Sequence, residues 1–311
     1  MNDGLAASYA YCEEFVRRQQ SNFFASFTVL PPEKFRQMCA IYAFMGYSDD
    51  LADRDGAASD KKVQLARWRA ALDRCFQGEY GSSRILPAFH DTVVHCDIPQ
   101  KYFHDLIDGA EMDLVRTRYE TFDELYDYCY HVASVVGFAC LHVWGFEGGD
   151  AAIAPAEACG IAFQITNILR DLKEDAARGR VYLPQEDLRN FGYSEDDLTA
   201  GVLNDAFREM MHFELDRARR YYCEAEKLGP MIDPQCRPCF EVMFRIYRAL
   251  LDKIESRGFD VFSARVSLDD RDKMQVVADV LGTAVHQQNN TPSLQGSQAQ
   301  HRFERLGHSI K

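Results

Sequence analysis

The stretch Gln164–Asp187 reads QITNILRDLKEDAARGRVYLPQED, and the remainder of the chain is best read outward from it. Asp171 and Asp175 stand four apart. Four helical residues turn by about 400° and rise about 6 Å, so both carboxylates return to one face, close enough to share an ion. Ile165, Ile168, Leu169 and Leu172 give the segment an apolar side, and Gly179 followed by Pro184 stops it. The expectation is a helix that ends in a basic turn, Arg178-Gly179-Arg180. One such pair alone reads as a solvated helix face.

A second pair, Asp49 and Asp53, lies in IYAFMGYSDDLADRDG and is again preceded by an apolar run, Ile41 to Phe44, that no solvated helix needs. If the two helices are antiparallel neighbours, four carboxylates converge. Like charges at about 4 Å repel by about 4 kcal/mol at an effective dielectric of about 20, so such a cluster must hold cations. Carboxylate oxygens on rigid helices suit magnesium, which takes its remaining ligands from water and substrate phosphates. The residues therefore point to a metal–diphosphate site. An EF-hand reading of DDLADRDG fails, because aligning Asp53, Asp55 and Gly56 to that loop puts Leu51 first and Lys62 where Glu is required.

The two segments resemble the paired aspartate motifs of the squalene/phytoene synthase family, the head-to-head isoprenoid condensing enzymes. The likeness extends over roughly residues 21–268 and includes the NILRD lead-in at Asn167–Asp171 and the run Glu174–Pro184. It implies an all-α, single-domain isoprenoid-synthase fold around a central cavity, with prenyl diphosphates as substrates and Mg²⁺, or Mn²⁺ in its stead, held by Asp49, Asp53, Asp171 and Asp175. By the same resemblance Asn167, Arg170, Arg178 and Arg265 face the diphosphate, Tyr247 is catalytic, and Ser21, Phe23 and Tyr42 line the substrate's turn and wall, with Phe44 beside them. The proton acceptor is either Tyr247 or the released diphosphate. One departure is Gly46, where the family usually has an arginine; an arginine there is expected to be tolerated.

Composition narrows the function further. With 35 Lys plus Arg against 48 Asp plus Glu, the net charge is −13, so no nucleic-acid partner is expected. Ten cysteines sit mostly in apolar runs without a regular framework, as in a reduced, cytoplasmic protein. Cys236-Arg-Pro-Cys239 lacks a second pair or histidines for zinc and lacks a βαβ context for redox work. No basic, apolar leader opens the chain, and the apolar run from Val132 to Phe146 is too short to span a bilayer. Peripheral contact with the inner face of the membrane is expected of an enzyme that releases a hydrocarbon, while no oligomeric state is specified.

Within that run Ala133, Ser134 and Gly137 recur at helical spacing, which would let an isoprenoid chain lie against backbone but equally suits tight helix packing. The lone His131 and His142 read as core groups. The helix around Tyr247 carries apolar residues at 243, 246, 250, 251 and 254 and stops at Gly258. The wording GFDVFSARVSL leans toward the presqualene/squalene branch. Bulky Phe138, Leu141, Trp144 and Phe163 suggest a short pocket, hence condensation of two farnesyl diphosphates to presqualene diphosphate, with onward conversion to squalene or hydroxysqualene, and a role for NADPH in it, left open. The alternative is two geranylgeranyl diphosphates giving phytoene. Intact acid pairs and the RGR turn argue against a non-catalytic isoprenoid-binding protein, and the second motif is unlike that of class I terpene cyclases. Residues 1–285 are expected to form the domain and 286–311 a polar, disordered tail.

Overall fold

Apolar residues recur at three- and four-residue spacing and nowhere sustain a period of two, and the computed structural model, which describes residues 3–19 and 22–290, is accordingly helical. Among the described residues there is no strand, only two isolated bridges. Helices α1 (Asp3–Gln19) and α2 (Asn22–Phe27) lead to α3 (Pro32–Asp53), which Pro32 opens; proline is pre-set for a first helical position and needs no donor there. Around α3 pack α4 (Ala58–Cys75), α5 (Leu86–His95) and α6 (Lys101–Met112). Phe44 is locked there between Trp68, Phe89 and Phe103 at ring distances of 5.1, 4.3 and 5.5 Å. It belongs to this core and not to the cavity wall.

The chain then runs through α7 (Phe122–Cys129) and a π-turn at Tyr130–Ser134 into α8 (Val135–Trp144). The central helix, α9 (Ile153–Arg170), lies against this π-turn so closely that a Cβ on Gly160 would fall 2.5 Å from the Ser134 Cα. Only glycine permits that approach. With α9 buried on most sides, it is the one helix among the described residues that, extended back to Gly149, is long and apolar enough to cross a membrane, and 72% of that window is buried in protein. It is a core helix.

After α10 (Leu172–Ala177) come the short α11 (Gln185–Asn190) and α12 (Glu195–Ala200), and then α13 (Asp205–Ala225), which packs along α9. Arg217 on α13 joins α11 through Asp187 at 2.8 Å and meets Glu214 at 2.6 Å, all three buried. Burial pushes the Glu214 carboxyl up to about 8, with Arg217 opposing and Asp187 adding to the rise. Helix α14 (Arg237–Ser256) buries Met243, Ile246, Leu250, Leu251 and Ile254 at the expected spacing. Last comes α15 (Asp270–Asn290), which carries helix past the expected tail boundary at 286 because His286 to Asn290 continue its final turns. The rest of that tail, 291–311, and Ser21 lie outside the described residues.

Candidate active site

Asp49 and Asp53 occupy the last turn of α3, which carries no basic residue of its own, and Asp171 stands where α9 ends. Both are helix C-termini, whose dipoles put partial negative charge beside carboxylates. The second pair is not on one unbroken helix as expected. The chain leaves helical geometry at Asp171 before α10 begins, yet Asp171 N–H bonds Asn167 O and Asp175 N–H bonds Asp171 O, each at 2.9 Å. The two acids therefore keep their one-turn spacing.

The basic turn after α10 brings the motifs together. Arg178 and Arg180 reach Asp53 at 3.7 and 3.5 Å, and Asn167 lines the same cavity as Asp49, Asp50 and Asp53. Arg170 and Arg265 both clamp Asp171, so the second pair is partly neutralised by the protein itself. For this reason the four carboxylates do not collapse into one knot: among the described residues no three acidic, histidine or cysteine side chains form a closed metal cluster. Asp49 and Asp53 line the cavity mouth, while Asp171 and Asp175 stand outside its lining, linked to the first pair through Arg178 and Arg180.

Their protonation reflects these surroundings. Asp49 opens onto the cavity yet is crowded by protein, and desolvation, then Asp53, Asp113 and Asp50, push it up to about 7. Asp175 is also raised to about 7, by burial and by Asp171, against Arg180 and Arg178. For Asp171, burial would raise the carboxyl, but the bonds from Arg170 and Arg265 outweigh it and hold it below the ordinary value. The donors fit a hard divalent cation. They are all oxygens, and two of them, Asn167 Oδ1 and Glu174 Oε2, are buried with no hydrogen-bond partner.

A fifth acid joins them. Asp113 accepts hydrogen bonds from Tyr182 at 2.8 Å and Tyr128 at 3.1 Å, and burial raises its pKa despite Arg180. It reaches the site because its loop is zipped to the RGR turn: Val181 N–H donates to Thr117 O at 3.0 Å and Arg118 to Gly179 O at 2.7 Å. Neither Asp113 nor Tyr128 was apparent in the sequence. A lone acid has no periodic partner, and the tyrosines of DELYDYCY read only as an acidic, aromatic half-helix.

From the mouth a cavity of about 380 Å³ runs inward. Phe23, Tyr42, Ala133, Gly137 and Phe163 line it, as do Cys140 and Gly160, so small residues of the π-turn, α8 and α9 serve the cavity. Twelve helical residues separate Val132 from Trp144, about 18 Å, and Trp144 meets Phe240 at 6.3 Å to form the far end. Of the four bulky residues expected to shorten the pocket, Trp144 and Phe163 do line it. Phe138 packs on Tyr102 at 5.2 Å, and Leu141 is wholly buried in the core. Tyr247 lies one layer behind the wall, stacked on Phe163 at 4.2 Å and Phe23 at 5.2 Å. Burial lifts its hydroxyl to about 12, with Arg170 and Asn167 opposing, so it is a neutral phenol.

Other expectations resolve simply. At Gly46, which lines the cavity, an added Cβ would stand 3.2 Å from the Phe15 ring, so an arginine there requires that ring to shift. His131 bonds the Asp127 carbonyl at 2.7 Å. Cys236 and Cys239 are free, buried thiols whose pKa values burial raises, which makes them inert.

The sequence profile described as squalene/phytoene synthase matches residues 16–272. The chain is similar to the 15-cis-phytoene synthase of Synechococcus elongatus, at 39% identity over 84% of this chain and 88% of that protein. Among solved structures it is similar to a dehydrosqualene synthase bound to a ligand, with a TM-score of 0.83 and 27% identity over 90% and 97% of the two chains. It is also similar to the squalene synthase HpnC of Alicyclobacillus acidocaldarius, with a TM-score of 0.77 and 28% identity over 82% and 96%. The greater identity to a phytoene synthase runs against the leaning read from GFDVFSARVSL. Helical architecture, paired acids at the mouth of an apolar cavity and a profile match over most of its length agree: the chain is a prenyltransferase that belongs to the squalene/phytoene synthase family.

Proposed function

We propose that the protein condenses two geranylgeranyl diphosphates head to head to phytoene, in place of the farnesyl reaction expected from sequence. The observation that carries this reading is the small-residue lining of the cavity, Ala133, Gly137 and Gly160 along its length, together with the similarity to a cyanobacterial phytoene synthase. With Phe138 and Leu141 turned into the core, the argument for a short pocket keeps only Trp144 and Phe163. Those two favour the second reading, farnesyl diphosphate to presqualene diphosphate.

Asp49, Asp53, Asp171, Asp175 and Asn167 would hold Mg²⁺, or Mn²⁺, which when bound neutralises the diphosphate as it leaves. Arg170, Arg178 and Arg265 add positive charge beside the leaving group. The aromatic wall of Phe23, Tyr42 and Phe163 excludes water from an allylic cation and stabilises it through ring faces. Tyr247, neutral and packed behind that wall, positions Phe163 and Asn167; two diphosphates depart and two protons are lost on the way to phytoene, and each departing diphosphate is the base that accepts one proton. NADPH has no part in a product that is not reduced. An uncharged C40 hydrocarbon dissolves only in a bilayer, so peripheral contact with the cytoplasmic membrane face belongs to this reading.

Purified protein incubated with geranylgeranyl diphosphate and Mg²⁺ should release phytoene, identified by chromatography and mass, and should stop when a chelator is added. Absence of any condensed product, whether hydrocarbon or C30 or C40 diphosphate, from both geranylgeranyl and farnesyl diphosphate would leave a binding protein instead.

A further inference from the structure

We infer that Arg265 is an internal counter-ion of the second acidic pair in the resting enzyme, and that it yields Asp171 only when a diphosphate draws it away, so that metal enters the second pair after the diphosphate. This rests on the metal–diphosphate reading above. Both oxygens of Asp171 are saturated. Oδ1 accepts from Nε of Arg170 and of Arg265, each at 2.8 Å, and Oδ2 accepts from a terminal nitrogen of Arg170 at 2.5 Å and of Arg265 at 3.1 Å. A carboxylate sandwiched between two guanidinium forks has no lone pair to offer a cation. Asp53, by contrast, meets its arginines only at 3.5 and 3.7 Å. Asp53 is therefore open to metal while Asp171 is closed.

Exposure tells which cation leaves. The Arg170 side chain is 10% exposed and stays, whereas that of Arg265 is 55% exposed and can swing. Its backbone, however, is held by a dedicated arm. After α14 the chain turns through Gly258 and Phe259, both left-handed, at φ +62° and +65°. A bulky residue adopts that conformation only where its surroundings compel it, and here the Phe259 ring is packed on His212 at 4.5 Å. Asp260 Oδ1 then accepts from the backbone N–H of Phe262 at 3.1 Å and of Ser263 at 2.8 Å. Phe262 docks on Phe207 at 5.1 Å and over Gly201, where a Cβ would stand 3.2 Å from the ring. Finally Lys173, between the two acids of the second motif, donates to Phe262 O at 2.6 Å. The arm is fixed to α10 and α13; the freedom lies in the Arg265 side chain.

The test is calorimetric titration of the full chain with Mg²⁺, first alone and then with inorganic pyrophosphate, without any turnover. Arg265→Gln should bind Mg²⁺ alone at the second pair at least about tenfold more tightly than wild type, since a contacting positive charge has gone. It should also bind pyrophosphate in excess Mg²⁺ about tenfold more weakly, having lost a phosphate contact. A merely structural arginine would not move the two affinities in opposite directions. Should Arg265→Gln misfold, Asp260→Ala, which frees the arm but keeps the charge, should raise affinity for Mg²⁺ alone in the same direction by a smaller factor. Unchanged or weaker binding of Mg²⁺ alone in the folded variants overturns the inference. A wild type that binds no Mg²⁺ even with pyrophosphate overturns the metal reading beneath it as well.

Discussion

Arg180, in the turn that follows the second acidic pair, lies 3.5 Å from Asp53 in the first. The contact joins segments more than a hundred residues apart and also bonds the Asp113 carbonyl at 3.3 Å. Arg180 is thus the strut that keeps both rims of the mouth at working distance.

Replacing it should affect turnover more than binding. Arg180→Met is expected to lower kcat roughly 10²-fold, the scale for losing one preorganised charge in an active site, with a smaller change in KM. Steady-state kinetics on a variant whose circular dichroism matches wild type measures this. A kcat near wild type would remove Arg180 from the machinery.

Gly46→Arg should destabilise, contrary to the sequence expectation. Phe15 already fills the space at 3.2 Å, and overpacking costs about 1–3 kcal/mol. Denaturant unfolding should show the loss, and a second change, Phe15→Ala, should recover most of it. Full stability of Gly46→Arg alone would mean that the α1–α3 contact gives way easily.

Trp144 closes the far end of the cavity against Phe240. Trp144→Ala lengthens the space for the tail, and each newly buried methylene is worth about 0.8 kcal/mol, about fourfold in kcat/KM. The ratio of kcat/KM for geranylgeranyl over farnesyl diphosphate should rise several-fold. An unchanged ratio would put the end of the tail elsewhere.

The buried Glu214 makes stability depend on pH. Its folded pKa, about 8, lies above the unfolded value of 4.5, so the folded state binds its proton more tightly. That contribution is complete below pH 4.5 and is lost as pH rises to 8. Glu214→Gln keeps the shape without the titration. Its melting temperature relative to wild type should therefore climb between about pH 5 and 8 and then level off. A constant difference across that range would mean that Glu214 is ionised throughout.

Much of this was legible because helices repeat. The apolar spacing on α14, the stop at Gly258 and both acid pairs follow from period and turn chemistry, which a single chain displays. What could not be read depends on contacts between distant segments. Asp113 matters only because Thr117 and Val181 pair across two loops, and Tyr128 only because it points at Asp113. Phe138 and Trp144 lie on the same short helix, yet one faces Tyr102 and the other the cavity. Hydrophobicity is identical for both outcomes, so the choice of face is not legible in the sequence. The clamp on Asp171 likewise required Arg265 to return across 94 residues.

Competition between substrates tests the central claim most directly. Equal concentrations of geranylgeranyl and farnesyl diphosphate, given together to the purified protein with Mg²⁺ and without NADPH, should yield predominantly C40 phytoene by mass and retention. A predominant C30 product, accumulating as presqualene diphosphate, would contradict the account.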